Sequence, residues 1–236
     1  DDWIVMDEDT VMARDFEEEV MTSNVDDALD SRPLLEEDMK QLSSMPMSHG
    51  CKVTFSNVEY KVVSRHTQQE LTVLKGVSGY ASPGEICALM GASGAGKTTL
   101  LDLLSNRKTT GVVKGHILFD GSPRTDDIAR RSAYVMQDNV HLPMLTIRQT
   151  LKYASLLRMR ENVPLEKKQA RVSQIITMLG LTEHADTIVG DARVRGISGG
   201  QAKRLSIGVE IINLPDIIFF DEPTTGLDSS ISLEVF

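Results

Sequence analysis

The chain has 236 residues, 41% of them hydrophobic, two cysteines and a formal charge of −9. That length carries one large domain or two modest ones with a sizeable core, and two cysteines do not make a disulfide framework but fit a reducing compartment. The acidity is local: residues 1–50 hold fifteen Asp/Glu against three Lys/Arg, which leaves 19 acids and 22 bases for residues 51–236. So near a balance speaks against a basic nucleic-acid-binding surface, and no nucleic acid is expected as a partner. No apolar run approaches the ~18 residues of a membrane helix, and the residues from Asp1-Asp2-Trp3 onward do not read as a signal peptide.

In chain order, residues 1–50 are acidic, rich in Met and poor in periodic pattern, with clusters at Asp7–Asp9, Glu17–Glu19 and Glu36–Asp38. They read as a disordered acidic arm, and residues 51–236 as the folded domain. Lys52–Val63 alternates as a strand, Ser64–Glu70 is a polar loop, Leu71–Gly79 is a second strand, and Ser82-Pro83-Gly84 is a turn. Ile86–Met90 is a short apolar run of the kind found in buried strands. It leads into a glycine-rich loop and a helix over Thr98–Arg107, where Leu100, Leu101, Leu103 and Leu104 have helical spacing. Gly115–Asp120 is a strand closed by Gly121. Thr146, with Gln149 as a capping-box partner, starts a helix through Leu151, Ala154, Ser155 and Arg158. Pro164 opens the next helix, which carries Val172, Ile175, Ile176 and Leu179 and stops at Gly180. A third follows Ser198, and Ile217–Phe220 is another buried strand. Strand–loop–helix units around parallel strands predict an α/β fold.

Three motifs carry the chemistry. Gly91-Ala92-Ser93-Gly94-Ala95-Gly96-Lys97-Thr98 matches G-x-x-x-x-G-K-S/T between a strand and a helix, the context a phosphate-binding loop requires. Small residues there let backbone N–H groups converge on phosphate oxygens at a helix N-terminus. Lys97 is predicted to reach the β- and γ-phosphates and the Thr98 hydroxyl to join Mg²⁺. Asp221 and Glu222 follow four apolar residues, Ile217–Phe220, at a strand's carboxyl end, where α/β sheets bind ligands. Asp221 is predicted to hold Mg²⁺ and Glu222 to polarise a water attacking the γ-phosphate. Ser198-Gly199-Gly200-Gln201 opens a helix with Ser198 as N-cap and two glycines that let an anion approach the backbone. It lies 101 residues after Lys97. One nucleotide does not need two such helix starts from one chain, and a head-to-tail dimer uses both.

The order GASGAGKTT, YVMQDN, ISGGQAKR, FFDEP and TGLDS resembles the nucleotide-binding domain of ABC ATPases over residues 52–236. LMGASGAGKTTLLDLL, GISGGQAKRLSIGVEII and FFDEPTTGLDS resemble the G subfamily of ABC transporters, the White-like and pleiotropic drug resistance type. The resemblance implies a P-loop NTPase core with an N-terminal antiparallel β-subdomain and a helical subdomain inserted at about 141–197. It implies ATP and Mg²⁺ as ligands, and ATP hydrolysis powering transport across a membrane, with this domain on the cytoplasmic face. The alternatives are a soluble ABC ATPase and a fragment that binds nucleotide without turnover. The implied partners are a second nucleotide-binding domain and a transmembrane domain of the same protein.

Residue by residue, Gly91–Thr99, Thr99 included, resemble the Walker A loop. Gln137 resembles the Q-loop glutamine on the metal and γ-phosphate side, and Ser198–Gln201 resemble the signature motif. Asp221 and Glu222 resemble the Walker B acid and the catalytic base, Asp228 lies in the D-loop segment, and Tyr60 is the candidate for stacking on adenine. The family also carries a histidine after the catalytic glutamate, but His49, His66, His116, His141 and His184 all precede Glu222. Their scatter gives no metal-ligand spacing, and they read as surface or loop residues. Only fourteen residues follow Glu222, so the final strands of such a domain are expected to be missing from this chain.

Overall fold

The structure, a computed structural model, describes residues 50–63, 69–108, 110–125, 127–191 and 193–223. Its elements are β1 (Val53–Val63), β2 (Glu70–Ala81), α1 (Lys97–Leu104), β3 (Val112–Phe119), β4 (Ser122–Pro123), α2 (Ile128–Arg131), β5 (Ser132–Val135), α3 (Ile147–Arg158), α4 (Leu165–Met178), a 3₁₀ turn at Thr182–His184, α5 (Gly199–Ile211) and β6 (Ile217–Phe220).

An antiparallel sheet has the order β2-β1-β3-β4. Its alternation buries Val53, Phe55, Val58 and Tyr60 from β1 together with Leu74 and Val77 from β2, the period-two pattern of a sheet with one covered face. Gly79 faces Phe55 so closely that an added Cβ would stand 2.7 Å from its ring. β5 and β6 form a parallel pair with Ser132 opposite Ile217 and Val135 opposite Phe220. The turn that follows Phe220 therefore opens at the same end as the loop that follows Val135.

The run Ile86–Met90 is not a buried strand. No strand is assigned over these residues, and Ile86 and Met90 are 93% and 79% exposed. Ile86–Leu89 and β6 line one apolar cavity of about 910 Å³ rather than pairing. An apolar extended run is held as a strand only by a neighbour that takes its backbone hydrogen bonds.

The helices pack around a second core. Ile147, Leu151 and Ala154 of α3 and Val172, Ile175 and Ile176 of α4 meet Leu181, Ala185, Val189, Leu205 of α5 and Ile212 just past its end. Each buried Leu, Ile or Val side chain contributes roughly 1.5–3 kcal/mol on burial. The helical layer thus runs past residue 197 into α5. Gly208 permits the approach: a Cβ there would lie 3.0 Å from both Ile175 and Leu179 and 3.2 Å from Leu151.

Polar side chains finish the helix ends. At α3, Thr146 Oγ1 accepts from the Gln149 N–H at 3.2 Å while Gln149 Oε1 accepts from the Thr146 N–H at 3.0 Å, the capping box read in the sequence. Lys168 on α4 donates to the Met159 carbonyl at 3.3 Å just past α3, and Arg171, also on α4, donates to the Ile211 carbonyl at 2.9 Å at the end of α5. One helix thereby satisfies the orphan carbonyls of two others. Among the described residues, no helix is long and apolar enough to cross a membrane.

Candidate functional site

The glycine-rich loop turns at Ser93-Gly94, closed by the Ala95 N–H donating to the Ala92 carbonyl at 3.1 Å. Gly94 and Gly96 have φ of +79° and +99°, a region L-residues enter only at a cost. Gly96 is the residue before α1 and provides no side-chain cap; the first turn of α1 also carries no acid. By contrast, α3 and α5 both start with a complete capping box. The first turn of α1 therefore presents uncapped backbone donors and a positive dipole end, the arrangement that suits an anion. Lys97 folds back over the loop, its Nζ donating to the Gly91 carbonyl at 2.9 Å and the Ala92 carbonyl at 3.1 Å.

Asp221 continues β6 by one residue, its N–H donating to the Val135 carbonyl at 3.0 Å. It is buried, and both carboxylate oxygens are engaged: Thr98 Oγ1 donates to Oδ1 at 2.9 Å and the Tyr134 hydroxyl to Oδ2 at 3.2 Å. Burial, followed by the nearby Asp221 charge, holds the Tyr134 phenol well above the usual tyrosine range, so it is a donor at neutral pH. The Arg107 guanidinium lies 4.4 Å from the Tyr134 ring centroid. Glu222 adopts φ +45°, a backbone state that costs a non-glycine residue about 1 kcal/mol or more. It is exposed, and its Oε2 accepts from Gln137 Nε2 at 3.2 Å.

Fold and chemistry thus converge. Residues predicted from motifs far apart in sequence, Lys97, Thr98, Gln137, Asp221 and Glu222, stand at one end of the β5–β6 pair and the start of α1. The Thr98 hydroxyl, the Asp221 carboxylate and the Gln137 side-chain amide are all oxygen donors, a set that fits a hard divalent cation such as Mg²⁺.

Ser198 caps α5 as predicted: its Oγ accepts from the Gln201 N–H at 3.2 Å, and Gln201 Oε1 accepts from the Ser198 N–H at 2.9 Å. Tyr60 does not join the site. It is 1% exposed, and its hydroxyl donates to the Thr110 carbonyl at 2.7 Å. A ring enclosed in this way has no face to offer adenine, so Tyr60 is a core residue. Asp228 lies outside the described residues.

Other residues at the site were not singled out from the sequence. Lys203 on α5 is 1% exposed and donates to the Met136 and Gln137 carbonyls at 3.1 and 2.8 Å. Its signal was positional: Gly200, Lys203 and Ile207 form one buried stripe of α5, and a lysine on such a stripe calls for acceptors. His141 is likewise not a plain surface residue. Its Nε2 lies 2.9 Å from Ser206 Oγ and 3.2 Å from the Ala202 carbonyl, and burial lowers its pKa.

The family model described as ABC transporter matches residues 74–225. ABC transporter G family member 22 of Dictyostelium discoideum is 38% identical over 202 residues, covering 84% of this chain and 32% of that protein. ABC transporter G family member 6 of Arabidopsis thaliana is 46% identical over 165 residues, covering 70% and 23%. The ABC multidrug transporter MDR3 of Trichophyton rubrum is 50% identical over 158 residues, covering 66% and 10%. The chain thus spans about a third or less of the length of these relatives. Among solved structures, a dimeric post-hydrolysis state of an ATP-binding cassette bound to ADP and Pi matches with a TM-score of 0.61 at 24% identity, covering 78% of this chain and 79% of that one. The fold is the α/β fold of an ATP-binding cassette, and the chain belongs to the ABC transporter family.

Proposed function

We propose that this domain binds ATP with Mg²⁺ and hydrolyses it to drive a substrate across a membrane, as part of an ABC transporter of the G-family type. The observation that carries the reading is the Asp221 carboxylate, which takes the Thr98 hydroxyl at 2.9 Å beside the Gln137–Glu222 pair. The uncapped start of α1 and the backbone of Gly91–Gly96 receive the phosphates, and Thr99 extends that first turn. Lys97 exchanges its bonds to Gly91 and Ala92 for phosphate oxygens. Thr98, Gln137 and Asp221 hold the cation, which supplies positive charge against the phosphate oxygens. Glu222 orients a water and takes its proton, and Gln137, already bonded to Glu222, keeps that carboxylate aimed.

The start of α5, Ser198 to Gln201, and Asp228 serve a second cassette in a head-to-tail dimer. The dimeric state described for the related cassette supports that reading. The transmembrane part is the second partner, with this domain on the cytoplasmic face. Support comes from apolar side chains left open: Leu142 and Met144 before α3 and Leu157 near its end are 67%, 69% and 85% exposed, more than a covered surface would leave.

The test is binding of a fluorescent ATP analogue and phosphate release by the full chain. Lys97→Ala should weaken binding about tenfold or more, the worth of one charge-assisted contact. Glu222→Gln should keep binding while turnover falls about a hundredfold. Unchanged binding in the first variant, or unchanged turnover in the second, refutes the assignment.

A further inference from the structure

We propose that Lys203 is a positioning residue for the site: it fixes the backbone of Met136 and Gln137 and thereby sets the reach of the Gln137 side chain toward Glu222. The proposal rests on the functional reading above, in which Gln137 serves the cation and phosphate side.

The argument begins with where the charge sits. Lys203 is 1% exposed, and a buried ammonium is costly unless its donors are met. Its two hydrogen bonds go to the carbonyls of Met136 at 3.1 Å and Gln137 at 2.8 Å. Burial lowers its pKa, and the Asp138 charge opposes the shift. The charge is therefore committed to the backbone of the residue whose side chain donates to Glu222 at 3.2 Å.

The rest of the segment is tied to the same turn of α5. Ser206 Oγ donates to Asn139 Oδ1 at 3.0 Å, and His141 Nε2 meets Ser206 Oγ at 2.9 Å and the Ala202 carbonyl at 3.2 Å. Residues 136, 137, 139 and 141 are thus fastened by five hydrogen bonds to residues 202–206. Lys203 stands five residues beyond Ser198, about 7.5 Å along the helix. Gln137 is consequently connected to the start of α5 through one rigid turn and one side chain. A fold that needed only to cover this stripe of α5 would use a leucine there. A lysine adds a directional link to two chosen oxygens.

The experiment measures affinity of the full chain for a fluorescent ATP analogue with and without MgCl₂. The quantity read is the ratio by which magnesium tightens binding. Lys203→Met keeps an unbranched stem one atom shorter and removes the donors. It should lower that ratio about five- to tenfold, less than the tenfold or more that a charged hydrogen bond is worth because Lys203 acts on the cation only through Gln137, approaching the effect of Gln137→Ala and leaving magnesium-free affinity within about twofold. Lys203→Arg, which keeps donors at the site, should restore most of the ratio. Ile175→Val, a core change beside α5, controls for stability and should keep the wild-type ratio. Should the methionine variant fail to fold, Lys203→Gln, whose shorter, uncharged amide reaches the two carbonyls less well, should show the same change at smaller amplitude. A wild-type ratio in Lys203→Met, or in Lys203→Gln where the methionine variant does not fold, or a ratio lowered equally by Ile175→Val, overturns the proposal alone. A wild-type chain that binds no nucleotide, or binds it without regard to magnesium, overturns the functional reading and this proposal with it.

Discussion

Replacing Arg171 by methionine tests how the helical layer is held together. Arg171 is 6% exposed, and its Nη2 donates to the Ile211 carbonyl at 2.9 Å and its Nη1 to Gln174 Oε1 at 2.7 Å. Its Nε contact with the Ile212 carbonyl, at 3.5 Å, is at the limit of a hydrogen bond and counts for little. The last turn of α5 carries no basic residue of its own, so the charges that meet its carbonyls come from neighbouring helices: Arg171 on α4, and Arg158 on α3, whose Nη1 donates to the Val209 carbonyl at 3.2 Å. Losing one good charged hydrogen bond to a buried carbonyl costs about 1.5–3 kcal/mol. Burial lowers the Arg171 pKa, and relieving that desolvation with an apolar, unbranched side chain returns part of the loss, about 0.5–1 kcal/mol. The expected net destabilisation is about 1–2 kcal/mol, a fall in melting temperature of about 3–7 °C for a domain of this size. Urea unfolding followed by far-UV circular dichroism measures the first quantity, and thermal melting the second. A change under about 0.5 kcal/mol, the range of ordinary surface substitutions, would show that water caps α5 as well as Arg171 does and would refute the reasoning.

Three further outcomes follow from the geometry. Tyr134→Phe removes the donor to Asp221 Oδ2 and should lower the magnesium enhancement of nucleotide binding several-fold with little change in magnesium-free affinity, read by the same titration; an unaltered enhancement would show that Thr98 alone orients the carboxylate. Gly96→Ala places a Cβ 2.9 Å from Leu74 Cδ2 at φ +99°, which should cost about 1–2 kcal/mol of stability in urea unfolding and weaken nucleotide binding. His141 has a lowered pKa through burial, opposed by the Ala202 carbonyl and reinforced by Lys203. The unfolded chain therefore holds more protons below about pH 6.5, and stability conferred by the neutral ring is lost as pH falls through the lower folded value. The melting temperature should drop between about pH 7.5 and 5.5 more steeply in wild type than in His141→Gln, and equal slopes would remove His141 as the cause.

The sequence disclosed the parts of the fold whose physics is local. A capping box needs only the three-residue spacings Thr146–Gln149 and Ser198–Gln201, and both form. The glycine-rich loop was equally legible, because positive φ at Gly94 and Gly96 is a demand on those residues themselves. Ile86–Met90 was misread because strand pairing depends on a remote edge, and apolar composition alone does not supply one. Tyr60 was placed correctly in a strand, but alternation does not disclose how completely a face is covered. Thr98 and Asp221, 123 residues apart, were linked only through their motifs. Lys203 showed that a charge at an apolar helical position deserves to be read as a directed contact.

The register of β5 against β6 sets a discrete tolerance for change. Val135 stands opposite Phe220, and the two loops that bear Gln137 and Asp221 leave side by side. Side chains alternate along a strand, so deleting one residue from β6 would rotate the following carboxylates by half a turn rather than retract them slightly. Asp221 would leave Thr98 and Tyr134, and the left-handed turn now taken by Glu222 would fall on Pro223, whose ring forbids positive φ. Length changes here have no graded series of weaker variants; the spacing between strand and acids is an all-or-none specification, whereas surface loops such as the turn at Gly121 admit gradual drift.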